Sequence, residues 1–292
     1  MNHKFSSKPP SGYPDFYKKM TAYVTMLLTH AQAIAPSVTA CPYPVIECAE
    51  EDGPFHYYDT ATSRAGIGAI SKKLSVPKVA IVGVGGTGSY ILDFLAKTPI
   101  GEIHLFDGDY FLNHNAFRAP GAASVDELRQ QMNKVDYLAA IYSKMRRGIV
   151  PHPYSINALN VSELQGMSWV FTSLEGNGKL LIVKRLEEWG IPFIDVGVGV
   201  ELVDDALVGM VRTTTSTPQM RKHVHDNGRI PFADNDNNEY SSNIQIAELN
   251  ALNAAFAVLK WKKLCGFYHD LDHEHHCNFV ISGNTILNQD AA

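Results

Sequence analysis

The sequence predicts an α/β fold: a mixed sheet with a parallel core, helices on both faces, and antiparallel strands added in the C-terminal half. Three observations predict it. Short apolar runs alternate with helical patterns from Lys78 to Val196, the order of a parallel sheet with crossover helices. The first of these runs, Lys78-Val79-Ala80-Ile81-Val82, passes straight into Gly83-Val84-Gly85-Gly86-Thr87-Gly88, a Rossmann-like strand, glycine turn and helix start. Leu207 to Thr213 then alternates side-chain character with a period of two, as antiparallel strands do.

The chain has 292 residues, enough for one large α/β domain with an appended segment. Its formal net charge of −5 supplies no basic field, so nucleic acid is not an expected partner. No apolar run reaches the roughly 20 residues that cross a bilayer, and the first residues are polar and proline-bearing, so no membrane association and a cytoplasmic setting are expected. The four cysteines, Cys41, Cys48, Cys265 and Cys277, form no CxxC pair and indicate neither a disulfide framework nor a cysteine zinc site.

Taken in order, residues 1–59 read as a helical and irregular arm and 60–292 as the main domain. In the arm, Met20, Tyr23, Val24, Leu27 and Leu28 share a face of a helix over Asp15 to Ala35, ended by Pro36, and Pro44 to Cys48 reads as a short strand. Thr60 to Leu74 is expected to form one short helix, with Ser63 as its cap and Ile67, Ile70 and Leu74 on one face. Strands follow at Lys78–Val82 and Glu102–Phe106. A long helix is expected over Ser124 to Arg147, burying Val135, Leu138, Ala139, Tyr142 and Met145.

A third strand is placed at His152 to Ile156, a short helix at Val161 to Leu164 and a fourth strand at Trp169 to Thr172. Gly176 to Trp189 is a helix stopped by Gly190, and Pro192 to Val196 a buried strand. Residues 214–242 are polar and long enough for a functional crossover loop. Asn243 to Leu264 carries the strongest helical pattern, through Ile246, Leu249, Asn253, Phe256, Leu259 and Lys263, and a hairpin over Phe279–Ile281 and Thr285–Leu287 closes the chain.

The chemistry starts at the glycine loop, whose backbone N–H groups and helix N-terminus suit a phosphate. An acidic residue about twenty positions on would bind ribose hydroxyls, which also fits a nicotinamide-dependent oxidoreductase. Four further side chains exceed that need. Arg64 precedes the loop, Asn115 and Arg118 stand six and nine residues after Asp109, and Lys134 lies on the following helix. Such an excess of donors suits a triphosphate, on which charge develops as bonds to phosphorus change.

Arg64, the GxGGxG loop (Gly83, Gly85, Gly86, Gly88), the DxDxxxxxNxxR run (Asp107, Asp109, Asn115, Arg118) and Lys134 together resemble the ThiF/MoeB superfamily of adenylyltransferases, the family of ubiquitin-activating enzymes. The resemblance covers roughly Thr60 to Leu264. It implies ATP-dependent activation of the C-terminal carboxylate of a ubiquitin-like protein, giving an acyl-adenylate and pyrophosphate, for transfer to a conjugating-enzyme-like protein. It also implies adenylation of a small peptide or a tRNA base as alternatives within the fold. Asp109, with Asp107 as second candidate, would hold the ribose; Arg118 and Lys134 would neutralise the phosphates; Asn115 would orient them. Arg64 would act in the partner's site of a homodimer.

ATP and Mg²⁺ are the implied cofactors. The family's magnesium-binding Asp falls at Glu175 here, with Asp195 as a weaker substitute. Arg118 is followed by Ala119 where the family commonly has Gln. Residues 214–242 contain no cysteine, so a thioester nucleophile is lacking there; Cys265 and Cys277 are weak candidates elsewhere. The cluster His269, Asp270, Asp272, His273, His275, His276 and Cys277 matches no zinc spacing and reads as a polar, exposed connection, and His223 and His225 read as loop residues. The arm resembles the region ahead of the adenylation domain in bacterial activating-enzyme-like proteins, some of them encoded in antiviral operons, and the chain is expected to be cut from a longer one.

Overall fold

The computed structural model describes residues 6–174, 176, 178–232 and 244–288. The chain divides into two compact units, residues 1–46 and 47–292. In the first, α1 (Phe16–Ile34) starts where Asp15 accepts a hydrogen bond from the Lys18 N–H at 2.6 Å, an N-cap that relieves one orphan donor. The helix buries no residue, so its sequence periodicity marks an apolar stripe and not a core.

In the second unit the expected strand at Pro44 to Cys48 reduces to one bridge between Glu47 and Tyr57. The helix expected over Thr60 to Leu74 is broken into α2 (Thr60–Ala65), α3 (Gly68–Ser71) and a 3₁₀ turn at Lys72–Leu74. Gly66 takes a left-handed conformation that ends α2, and the cap is Asp59 rather than Ser63. The sheet then begins with β1 (Lys78–Val82), followed by α4 (Gly86–Ala96; α4 follows α3) and β2 (Glu102–Phe106). After the one-turn α5 (Asn113–Ala116), the helix expected over Ser124 to Arg147 is two, α6 (Val125–Arg129) and α7 (Lys134–Tyr142). Gln131, at φ 47°, turns the chain between them, and the turn places Lys134 at the start of a helix.

The third strand lies earlier than expected: β3 is Ile149–His152, and β4 is Trp169–Thr172. α8 (Gly178–Glu188) leads to β5 (Phe193–Val203), which with β6 (Ala206–Ser216) forms a hairpin longer than the expected strands. β6 thus takes up the first residues of the expected crossover loop, and α9 (Lys222–Asp226) others; residues 233–243 lie outside the described set. α10 (Ala247–Leu264), β7 (His276–Val280) and β8 (Thr285–Asn288) complete the unit.

The sheet has eight strands in the order β3-β2-β1-β4-β5-β6-β7-β8, parallel from β3 through β5 and antiparallel from β5 onward. This is the mixed α/β architecture the sequence predicts. Because successive strand residues face opposite ways, Val79, Ile81, Ile103 and Leu105 meet α4, α7 and α10 on one face, whereas Ala80, Val82, Phe106 and Val170 meet α8 and the 161–164 turn on the other. Each such fully buried aliphatic side chain contributes about 1.5–3 kcal/mol. Chain order reverses between β1 and β4, since β2 lies to one side and β4 to the other, so a crevice opens at their C-terminal ends.

Candidate active site

The glycine loop occupies that crevice. Gly83, at φ 86°, donates its N–H to Phe106 O at 2.8 Å, and a Cβ built on it would collide with the Ser173 carbonyl. The loop can therefore sit against the end of β4 only with glycine at this position. Gly85, the residue that caps α4, faces open space, and no side chain caps the helix. The first N–H groups of α4 are thus without a side-chain acceptor, the arrangement that receives an anion.

β2 delivers the two aspartates. Asp107 accepts from the Val84 N–H through one oxygen and from the Asp109 N–H through the other, both at 2.9 Å, which ties the end of β2 to the loop. Lys134 is 7% exposed, and its Nζ lies 2.6 Å from Asp109 and 3.5 Å from Asp107. The side chain of Asp109 is open to solvent while that of Asp107 is nearly enclosed. Asn115, also buried, accepts from the Leu112 N–H at 2.9 Å, and its Nδ2 donors have no partner among the described residues. A buried amide donor without a partner is costly unless something else fills it.

Arg118 and Lys134 share this neighbourhood. His114 is held below the ordinary histidine value first by burial and then by the charges of Arg118 and Lys134, with Asp109 opposing. The structure thereby brings together Gly83, Gly85, Gly86, Gly88, Asp107, Asp109, Asn115, Arg118 and Lys134. Arg64 stands apart: it is exposed in the last turn of α2 and makes no hydrogen bond or ion pair among the described residues. Glu175, the expected magnesium ligand, lies outside the described residues. No group of three or more His, Cys, Asp or Glu side chains among the described residues is placed to hold a metal ion.

Asp195 is committed elsewhere. It is fully buried on β5, and its oxygens meet Lys179 Nζ at 3.2 Å, Arg212 Nη2 at 2.7 Å and the Thr172 hydroxyl at 2.7 Å. Burial alone would push its carboxyl up, but Lys179 and Arg212 outweigh that and hold it below the ordinary carboxylate value. A carboxylate so engaged has no face left for a magnesium ion. Sequence reasoning missed Lys179 and Arg212 entirely; a charged residue inside each of two apolar-patterned elements was the available signal.

The His-rich run is exposed at His269, Asp272 and His273, as expected of a polar connection, but other members of it are engaged. Asp270 and Glu274 reach back to α10, pairing with Lys260 at 2.7 Å and Lys263 at 2.9 Å, and His276 bonds the Thr214 hydroxyl at 3.0 Å inside the sheet. His223 is likewise buried, against Thr215 O at 3.0 Å and Arg229 at 2.9 Å. Burial pushes the Cys265 thiol up to about 11, and Cys277 is raised by burial and by Glu274.

No helix among the described residues is long and apolar enough to cross a membrane. Residues 60–198 match the ThiF family, and residues 1–60 match a domain of unknown function, DUF6791. No match was found among curated proteins. Among solved structures, MccB of E. coli with ATP is similar at a TM-score of 0.60 and 19% identity, covering 80% of this chain and 72% of that one. The microcin C7 biosynthetic enzyme MccB in complex with N-formylated MccA aligns at a TM-score of 0.57 and 19% identity, over 76% of this chain and 67% of that one. PaaA aligns at a TM-score of 0.59 and 15% identity, over 96% of this chain and 88% of its own. At these identities the likeness establishes the fold.

Proposed function

We propose, on the premise that this chain belongs to the ThiF family through residues 60–198, that it is an ATP-dependent adenylyltransferase acting on the C-terminal carboxylate of a ubiquitin-like protein. One observation carries the reading: buried Lys134 bridges Asp107 and Asp109 beside an open glycine loop. A buried ammonium held by carboxylates can be released to phosphate oxygens, and it supplies charge where a triphosphate would lie.

The Asp107–Asp109 pair would accept the ribose hydroxyls, the N–H groups at the start of α4 would take the phosphates, and the unpartnered Asn115 Nδ2 would donate to a phosphate oxygen. A carboxylate oxygen of the acyl substrate attacks the α-phosphorus; the new O–P bond forms as the bond to the β-phosphate's bridging oxygen breaks, and pyrophosphate leaves. Lys134 and Arg118 neutralise the charge that accumulates. Magnesium, the ordinary counterion of a triphosphate, would be held by Glu175 and would offset phosphate charge. The thiolate of a conjugating-enzyme-like partner would attack the acyl carbon of the adenylate, forming the thioester as the acyl C–O bond breaks and AMP leaves, since the raised Cys265 and Cys277 thiols make poor nucleophiles. We place the reaction in a homodimer in the cytoplasm, within a bacterial antiviral pathway of the ubiquitin-like kind.

The MccB complexes favour a second reading, the adenylation of a small peptide by the same site. The test is exchange of labelled pyrophosphate into ATP, with ubiquitin-like proteins encoded nearby in one arm and short peptides in the other. Exchange that depends on a ubiquitin-like protein is the expected result. Exchange with peptides alone would move the assignment to the second reading, and tight NAD binding without any exchange would refute both.

A further inference from the structure

Helix α10 carries two wholly buried asparagines three residues apart, Asn250 and Asn253, among Leu249, Ala254, Ala257 and Val258. An amide in such surroundings is costly unless both its ends are bonded. Asn253 meets that condition: its Nδ2 donates to Gly197 O at 2.8 Å and its Oδ1 accepts from the Thr213 hydroxyl at 3.2 Å. It fastens α10 to β5 and β6, and its role ends there.

Asn250 is built differently. Its Oδ1 accepts from the Thr87 hydroxyl at 3.0 Å, while its Nδ2 has no partner among the described residues. The amide lies against the backbone of Gly86, where a built Cβ would collide with it. Gly86 and Thr87 are the first two residues of α4, directly after the open Gly85. Asn250 therefore touches the first two residues of the helix whose N-terminus no side chain caps. Replacing both members of the Thr87–Asn250 pair by apolar groups of the same shape is close to neutral for stability, whereas replacing one alone orphans the other, so the pair can be removed whole to separate its effect on the loop from its effect on stability.

We propose that Asn250 is a positioning residue for the nucleotide: it holds the Gly86–Thr87 backbone so that the α4 N–H groups converge on the phosphates. The inference rests on the ATP-binding reading of the site. A Cβ at Gly86 would meet the same amide, so any side chain there has to displace Asn250.

The test measures ATP binding by calorimetry and thermal stability by scanning calorimetry on the full chain. Asn250→Leu is expected to weaken ATP binding about tenfold or more and leave kcat at saturating ATP within about threefold, with a lowered melting temperature that the double variant Asn250→Leu, Thr87→Val recovers while its ATP binding stays weak. Thr87→Val removes the same hydrogen bond from the other side and should weaken ATP binding too, with the double variant no worse than the poorer single one. Asn253→Leu should lose stability with ATP affinity unchanged. Wild-type affinity in Asn250→Leu overturns the proposal; if that variant fails to fold, wild-type affinity in Thr87→Val does so. A wild-type protein that binds no ATP overturns the site reading itself, and this inference with it.

Discussion

Lys134 Nζ sits 2.6 Å from the Asp109 carboxylate, on a lysine that is only 7% exposed, opposite an aspartate that is open to solvent. The ammonium is thus fixed from the protein side while its partner can turn toward a ligand. If it acts as a charge clamp, Lys134→Ala should lower kcat/KM for pyrophosphate exchange by about 2–4 kcal/mol of transition-state stabilisation, as should Arg118→Ala. An exchange rate within a factor of three of wild type in either variant refutes its role.

The Asp195 cluster predicts a pH dependence of stability. Its carboxyl is held below the ordinary value because Lys179 and Arg212 outweigh burial. The stabilisation is therefore present above the unfolded pKa of about 4 and is lost as pH falls through the lower folded value. Asp195→Asn leaves the buried Lys179 and the half-buried Arg212 without their carboxylate and should cost about 3–5 kcal/mol at pH 7 in urea unfolding. The gap between wild type and variant should narrow on acidification below about pH 4. A gap that stays constant from pH 7 to pH 3 would show that the charge on Asp195 does not matter.

How much was legible in the sequence depended on how local the cause was. β1, β2 and β4 and the glycine loop follow from short apolar runs and glycine chemistry, so their residues could be read directly. The breaks at Gly66 and Gln131 were hidden because the apolar period runs on across each turn. On α10 the pattern through Ile246, Leu249, Asn253, Phe256, Leu259 and Lys263 names two of the buried residues, Leu249 and Asn253, and drifts off the buried stripe toward its C-terminal end. The buried face runs on through Ala254, Ala257, Val258 and Trp261, and it adds Asn250 and Lys260, polar residues whose partners come from distant elements. Within the site, Asp107, Asp109, Asn115, Arg118 and Lys134 were readable because one strand, one turn and one helix start present them. The union of Lys179, Asp195 and Arg212 was not, since it depends on the register of β5 with β6 and on the packing of α8.

The cysteines bear on where the acyl group goes. Burial pushes the Cys265 thiol up to about 11, so it stays protonated near neutral pH, and Cys277 is displaced in the same direction. Cys265→Ser and Cys277→Ser should both retain substrate-dependent exchange, and no reducible adduct should form at either site. A band on non-reducing gels that disappears in Cys265→Ser would instead make that residue the acceptor.

Arg64 offers the sharpest check on the assembly. It is exposed in α2, bound to nothing among the described residues, and outside the group that gathers around the glycine loop. A long cation held ready at the surface can complete a neighbouring subunit's site, where it would meet the far end of the triphosphate. Arg64→Ala should then abolish exchange without changing the fold or the association state. Mixing Arg64→Ala with Lys134→Ala should restore activity, because a mixed dimer contains one site in which both residues are native. Random pairing makes half of the dimers mixed, each with one good site of two, so about a quarter of wild-type activity is expected if both single variants are inactive. No recovery, with subunit exchange verified by tagged copies, would place Arg64 in its own subunit's site or outside catalysis altogether.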